Sequence, residues 1–469
     1  MAHRTAINTA MNTSLNSALR EALSGDTSRL VIEAEALRAH ESDRSLQRQG
    51  SAAALVVPLT TAEVQAVVRA ASAHAVPIVA QGARTGLAGA ASAAAGAILI
   101  DFSRMNRILR IDPLERLAVV QPGVIVSDLA AAVEEEGLFY APDPVSAQWA
   151  TVGGTIATNA GGMRCIKYGV TRDSVRSLEI VLADGSVERT RRDTVKSVTG
   201  LDLTSLIVGS EGTLALVTEI TVSLRSAPGP ARGVAAMFPD PESALAAANT
   251  IAAGAALPAV LEMLDDVALD SIRRTAPEAS APAAARAWLL AVTDARVGAD
   301  DELDAFERAF ADHGAISTSR ADTPDALEEL FALRRLLQPA MQAYRGDAHH
   351  GDIAVPRAAL GEVVRRADEI ARRLDVIISI GGHVGDGNLH PIIAFDPHDA
   401  EQVRRAHEAH DELLAAVQQL GGTVSGEHGI GTEKLAALDG ELTPRVRELQ
   451  RAIKTAFDPQ GILNPGRKL

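Results

Sequence analysis

Residues 151–170 read TVGGTIATNAGGMRCIKYGV, and the rest of the chain is best read outward from them. Glycines and other small residues crowd together here beside Asn159, Lys167 and Tyr168. Gly153-Gly154 at the start of a short helix would aim free N–H groups at a phosphate. So many small side chains imply that something large lies against the backbone. Taken alone, the stretch reads equally as a pair of tight turns, because glycine clusters are common turn punctuation.

Upstream, PIVA (77–80) reads as a strand that runs into the loop QGARTGLAGA (81–90). A glycine-bearing loop after a strand makes a nest of backbone N–H groups suited to an anion, and Arg84 adds a charge suited to a pyrophosphate. Downstream, VGSEGTLALVTEI (208–220) is a third such element. Between them, AALVVP (53–58), AILI (97–100) and RLAVVQPG (116–123) read as strands. Thr60 and Glu63 predict a capping box for a helix to about 75. A helix is expected over about 127–136. SLEIVLADGSVER (177–189) is a hairpin signal turning at Asp184-Gly185, and TLALVTEITVSL (213–224) is a long strand. Three loops in one α+β domain favour a dinucleotide laid across it. No G-x-G-x-x-G follows a strand and no phosphate-loop lysine motif is present, so nicotinamide and ATP sites are unsupported.

RSAPGPARG (225–233) marks a domain boundary. Beyond it VAAMFP, AVLEML and AWLLAV alternate with helices at 240–253, 265–274 and 300–313. Further helices are expected over 324–341 and from Pro356 to 374, then a buried strand DVIISI (375–380) and three more helices. The expected division is 1–225 as a cofactor-binding domain, 226–420 as a cap and substrate domain, and 421–469 as a C-terminal segment.

The 469 residues suit roughly two or three domains at about 150 residues each. The net charge of −15 repels phosphate backbones, and 3% aromatics leave few platforms for stacking bases, so nucleic acid is excluded as a main partner. A single cysteine, Cys165, rules out an internal disulfide and reads as a small packed thiol. No apolar run is long enough for an integral membrane segment, and the N-terminus lacks a secretory core. Residues 1–20 loosely resemble a transit peptide but read better as a frayed leader into a helix at about 14–24. The expected location is cytoplasmic. Arginine pairs such as 365–366, 372–373 and 404–405 lie among acidic residues on helices and read as solvated faces.

GGHVGDGNLHP (381–391) brings His383 and His390 around a Gly-Asp-Gly turn after a buried strand. SGEHGIG (425–431) holds Glu427 and His428 between glycines. Two histidines and one carboxylate suit zinc or another divalent ion with open positions. A lone buried histidine usually just finds a hydrogen-bond partner, but two glycine-flanked histidine loops in one domain weaken that reading.

PIVAQGARTG, ATVGGTIATNAGGMRCIKYGV and GLDLTSLIVGSEGTLALVTEI occur here in order. Together they resemble the FAD-binding domain of the vanillyl-alcohol oxidase and para-cresol methylhydroxylase superfamily. The C-terminal half resembles its D-2-hydroxyacid branch: glycolate oxidase catalytic subunit, D-lactate dehydrogenase and D-2-hydroxyglutarate dehydrogenase. The resemblance covers about 40–469. It implies an α+β fold with an FAD-binding domain of two subdomains, a ferredoxin-like cap and C-terminal helices. It also implies FAD, with the pyrophosphate on Gln81, Gly82, Ala83, Arg84, Thr85 and Gly86 and on Thr151, Val152, Gly153 and Gly154. Further cofactor contacts fall on Pro142, Ala157, Asn159, Gly162, Tyr168, Gly169 and Val170. Glu211, Gly212, Val217 and Asn464 complete the set, with Lys468 nearby in the tail. The first loop offers no His or Cys for a covalent link, so non-covalent FAD is expected.

The same resemblance makes His383, His390 and Glu427 the ligands of a divalent metal, zinc first. It makes His428 the catalytic base and Arg334 the catalytic cation for the substrate carboxylate, with Arg335 as understudy. The implied activity is oxidation of a D-2-hydroxy acid to the 2-oxo acid, with hydride transfer to flavin N5 and electrons passed on to an unidentified acceptor; a homodimer is open to it. Some departures narrow the substrate. Ile392 stands where D-2-hydroxyglutarate enzymes carry Asn, and His350-Gly351-Asp352 replaces their Lys-Tyr-Asp. Both favour a small monocarboxylate such as lactate or glycolate. Thr155 replaces a family Asn beside the flavin, and His349-His350 reads as a solvated loop pair. Two rival readings are a non-redox FAD enzyme of the alkyl-dihydroxyacetone-phosphate synthase type and a non-catalytic flavin subunit of an electron-transfer complex.

Overall fold

The computed structural model describes residues 13–45, 49–279 and 281–469; the leader before residue 13 lies outside them. The expected first helix is present over 13–22. The chain divides into two compact units. The first takes in the chain up to Gly161, then Val170–Ala227 and Glu427–Leu469. The second comprises Gly162–Gly169 and Pro228–Gly426. Residues 162–169 therefore leave the glycine-rich stretch to join the second unit, an excursion the sequence reading does not contain.

Among the described residues the first unit holds two larger sheets and a two-stranded pairing of Leu138–Phe139 with Arg225–Ser226. In one, Ala54–Val56 and Ile78–Gln81 flank Ile98–Asp101 in parallel, with Leu30–Val31 added antiparallel at the edge. Short apolar strands covered by helices explain the unbroken runs AALVVP and AILI. Thr60 caps the helix Thr61–His74 by accepting the Glu63 N–H at 3.2 Å. The expected return bond of a capping box is absent. The Glu63 carboxylate instead accepts the Leu59 N–H at 2.7 Å and pairs with the buried Arg29. Leaving the cap N–H in exchange for a buried guanidinium is favourable because the charge would otherwise be unpaired.

The other sheet is antiparallel, in the order Ile108–Asp112, Leu117–Val120, Leu216–Ser223, Val175–Val181, Val187–Arg189. Its last two strands are the expected hairpin, with Gly185 at φ +79° where the turn requires it. Val120, Leu129, Ile156, Leu178 and Ile220 close the core beneath it, which seats the helix Val152–Thr158 on the sheet.

The second unit is built on one eight-stranded sheet. Ser317–Ala321, Arg232–Phe238, Ala287–Thr293 and Val260–Leu264 lie side by side in that order, all antiparallel. That is the order of a ferredoxin-like sheet, as expected. The sheet then continues through Ile377–His383, Asn388–Phe395 and Asp347–His350, with Ile353–Ala354 pairing Asn388–Phe395 beside it. Helices Asp266–Thr275 and Pro324–Arg345 bury Leu264, Leu269, Trp288, Leu337 and Met341 against it. The helix expected from Pro356 opens as a 3-10 turn, Arg357–Ala359, before Leu360–Leu374. The arginine pairs do lie on helix surfaces among carboxylates, Arg366 on Glu362 at 2.9 Å and Arg404 on Glu408 at 2.7 Å. Among the described residues no helix is long and apolar enough to cross a membrane.

Candidate active site

His383 ends the strand Ile377–His383, directly opposite Glu262 on Val260–Leu264. His390 lies on the next strand, whose register sets it against Gly381. The two imidazoles meet edge to face with centroids 5.0 Å apart. The turn between them is shaped by Gly387, at φ +90° against the Val355 carbonyl, where a side chain would not fit. Glu427 opens the last segment of the first unit and follows directly on Gly426, the last residue of the second. His383, His390 and Glu427 each offer a ligand atom, all within 4.8 Å of one another. His383 is buried and the other two are half-buried. His428 follows Glu427, half-buried on the same glycine-flanked segment.

Two carboxylates that the sequence reading missed organise this region. Glu262 is fully buried in an apolar strand. One of its oxygens pairs with His383 Nδ1, and the other accepts Arg334 Nε at 2.8 Å. Burial would raise the Glu262 carboxyl, but His383 and Arg334 outweigh it and hold it well below the usual carboxylate range. A histidine whose Nδ1 faces a carboxylate presents Nε2 as its ligating nitrogen, the arrangement that orients imidazoles at metal sites. Arg334, on Pro324–Arg345, is thereby joined to His383 through one shared carboxylate. Arg335 is exposed and held by Glu328 at 2.8 Å.

Asp265, also buried, caps the helix Asp266–Thr275 through the Ala268 N–H at 2.8 Å. It also takes the Ser379 hydroxyl at 2.8 Å and the Ile380 N–H at 2.5 Å, fastening the strand that carries His383. Burial pushes its carboxyl up to about 7 against these hydrogen bonds. A lone glutamate inside AVLEML and the aspartate just after it were the available signals.

His349 and His350 lie on a strand, Asp347–His350, and are half-buried. The solvated loop pair expected of them is not what forms. His349 packs on His410 with centroids 4.2 Å apart. His350 is paired with Ile392, and alternation along the strand puts both on the face that carries His390. Asp352 is buried and accepts the Ser425 hydroxyl at 2.7 Å.

The loops assigned to a dinucleotide are drawn together in part. In the first unit a side chain on Gly82 would collide with the Thr151 hydroxyl, so the loops 81–86 and 151–154 touch. The expected free N–H groups are absent: Gly153 donates to the Pro122 carbonyl at 2.8 Å and Gly154 to Thr151 Oγ1 at 3.1 Å. These glycines are there for close packing against Pro122 and for a helix cap. Arg84 is steadied by His40 Nδ1 at 2.7 Å, and burial, then Arg84, lowers the His40 pKa. Glu211 bonds its N–H to the Ala157 carbonyl, and Val217 pairs with Ile180 in the sheet. Val170 donates to Asp173 and Pro142 is buried. In the second unit Gly162 donates to Cys165 Sγ at 3.1 Å, and Tyr168 donates to Asp294 at 2.5 Å beside the Lys167–Asp294 ion pair.

Two observations in the first unit suit a bound polar molecule. Arg84, Asn159, Glu211 and Asn464 all hold left-handed backbone without being glycine, and Gly212 joins them at φ +72°. Strained backbone of this kind gathers at ligand sites. Gln81 Oε1 and Asn464 Oδ1 are buried acceptors without a donor among the described residues. A flavin nucleotide, rich in hydroxyl and N–H groups, would supply such donors.

Residues 227–467 match the family described as FAD linked oxidases, C-terminal domain, and residues 52–191 the family described as FAD binding domain. The chain is similar to the glycolate oxidase subunit GlcD of Bacillus subtilis (strain 168), 38% identical over 91% of this chain and 90% of that one. It is also similar to D-lactate dehydrogenase of Anaerostipes hadrus, 34% identical over 88% of each. Among solved structures, p-cresol methylhydroxylase with substrate bound superimposes with a TM-score of 0.76 at 19% identity, covering 98% of this chain and 97% of that one, which is a likeness of fold.

Proposed function

The chain belongs to the family of FAD-linked oxidases, and on that premise we propose that it oxidises a small 2-hydroxy acid, D-lactate or glycolate, to the 2-oxo acid. The observation that carries this reading is the convergence of His383, His390 and Glu427, joined through Glu262 to Arg334. The loops Gln81–Gly86 and Thr151–Gly154, with Asn159 and Asn464, would hold FAD, and the first loop has no nucleophile for a covalent link. Bound FAD would supply the acceptor for the two electrons and the α-hydrogen. His383, His390 and Glu427 would hold a divalent ion, zinc first, which supplies chelation of the substrate hydroxyl and carboxylate and lowers the hydroxyl pKa.

The chain's own residues do the rest. Arg334 spends Nε on Glu262, which leaves its terminal nitrogens as donors for the substrate carboxylate. Glu262 keeps His383 in one orientation and its carboxylate neutralises the local positive charge. Neutral His428 takes the hydroxyl proton on an imidazole nitrogen, the C–H bond breaks, and the C=O bond of the 2-oxo acid forms. Ile392 and His350, on the face that carries His390, stand where D-2-hydroxyglutarate enzymes carry Asn and Lys, which supports a monocarboxylate. The electron acceptor that reoxidises the flavin is a separate partner.

The test is anaerobic bleaching of the protein-bound flavin by a panel of D- and L-2-hydroxy acids. Bleaching by D-lactate or glycolate, and not by L-lactate or D-2-hydroxyglutarate, is the expected result. His383→Ala should lose its metal stoichiometrically, and unchanged metal by elemental analysis contradicts the ligand set.

A further inference from the structure

The resemblance gives Glu211 to the cofactor, yet both of its carboxylate oxygens are taken by the chain. Oε1 accepts the Ile430 N–H and Oε2 the Gly431 N–H, each at 2.8 Å. Its own N–H donates to the Ala157 carbonyl at 2.8 Å, and its carbonyl accepts Asn464 Nδ2 at 2.6 Å. Lys468 Nζ stands 3.5 Å from Oε1. The residue is 3% exposed and adopts a left-handed φ of +55°. All these partners lie in the first unit. A side chain on Gly429 would come within 2.8 Å of Oε1, so glycine is what lets the segment reach the carboxylate.

Two adjacent N–H groups aimed at one anion make a nest, here turned inward on the protein's own side chain. Such charge-assisted bonds are roughly twice as strong as neutral ones, and burial sharpens them. At the same end the Ile430 carbonyl accepts the Lys434 N–H at 3.1 Å and the Gly431 carbonyl the Lys468 N–H at 3.2 Å, but the two amides on Glu211 are the charge-assisted pair. After the bridge at Thr423 the segment carries no helix or strand as far as Gly431, and Gly426, Gly429 and Gly431 interrupt it. Glycine-rich backbone of this kind loses much conformational freedom on ordering. Glu427 and His428 sit midway along it.

We propose that Glu211 is a positioning residue: it pins the segment 427–431 at its far end and so sets where Glu427 and His428 stand. The proposal rests on the reading of Glu427 as ligand and His428 as base. It differs from a cofactor contact in what it fixes, since the carboxylate reaches the reaction only through the loop.

Glu211→Gln keeps the size of the side chain but turns one acceptor into a donor facing an N–H. In the flavin-loaded protein, amide hydrogen exchange over 429–433 should accelerate about tenfold or more as this local structure opens. The flavin should remain bound, while anaerobic reduction slows by roughly ten- to a hundredfold with little change in substrate affinity, as a misplaced base dictates. Glu211→Asp should recover part of the rate. Unchanged exchange over 429–433 overturns the proposal, and so does loss of flavin with the loop still protected. If the Gln variant does not fold, wild-type exchange decides: the Ile430 and Gly431 amides must exchange at least about tenfold more slowly than in an unstructured chain, and unprotected rates overturn the proposal. His428→Ala separates the two readings. If that variant reduces at the wild-type rate, the base assignment fails while exchange still reports on the anchor.

Discussion

His383 stands at the end of a strand with a carboxylate set directly across from it, whereas His428 stands on a segment that is itself neither strand nor helix. The first is held by sheet register and by the buried Glu262; the second is held at one end by its chain connection and at the other by two amides on Glu211. The contrast teaches how a fold divides its labour. Of the three proposed ligands, His383 and His390 are placed on ladders, where position follows from pairing, while Glu427 shares the loop with His428. The proposed base, His428, lies on a loop whose far end is fixed by the Glu211 carboxylate together with backbone bonds to Lys434 and Lys468.

That comparison can be broken at either side. His428→Ala is the largest expected effect: flavin reduction by substrate should fall by roughly 10²–10⁴-fold with the yellow flavin retained. A variant as fast as wild type would remove the base from the loop. Glu262→Gln tests the ladder side. Loss of the carboxylate behind His383 should weaken metal affinity by roughly 10–100-fold. Breaking this buried network should also cost about 3–5 kcal/mol of stability, read by denaturant unfolding. Metal affinity equal to wild type would mean that register alone orients His383.

The smallest effect concerns Asp265. It binds a proton more readily folded than unfolded between its ordinary 3.8 and about 7. Its contribution to stability is therefore present at low pH and lost as pH rises through that window. Asp265→Asn should flatten the fall in melting temperature that wild type is expected to show between about pH 4 and pH 7. An unaltered slope would show that Asp265 is already ionised in the folded protein.

Much of this was legible in residue order. The glycine loops and the hairpin at Asp184-Gly185 follow from local patterns, whereas the ferredoxin-like cap and the grouping of His383 and His390 with Glu427 came from the family resemblance. What was not legible depends on pairing over long distances. Glu262 and His383 are 121 residues apart, and only strand register sets them opposite. The N–H groups of Gly153 and Gly154 looked free because the Pro122 carbonyl that takes one of them lies elsewhere in the chain. The excursion of 162–169 into the second unit is likewise a matter of tertiary contacts: Lys167 and Tyr168 meet Asp294, and Ile166 fills the space left by Gly385. His349 reads as a polar loop residue until Ala400–Gln419 lays His410 against it.

The most direct test of the account is the rate at which D-lactate or glycolate bleaches the flavin before chelation, after chelation, and after a divalent ion is restored. Bleaching should disappear on metal removal with FAD still bound, and return on adding zinc or another divalent ion in a ratio of one per chain. Full-rate bleaching by metal-free protein would contradict the claim that His383, His390 and Glu427 hold the ion on which the chemistry depends.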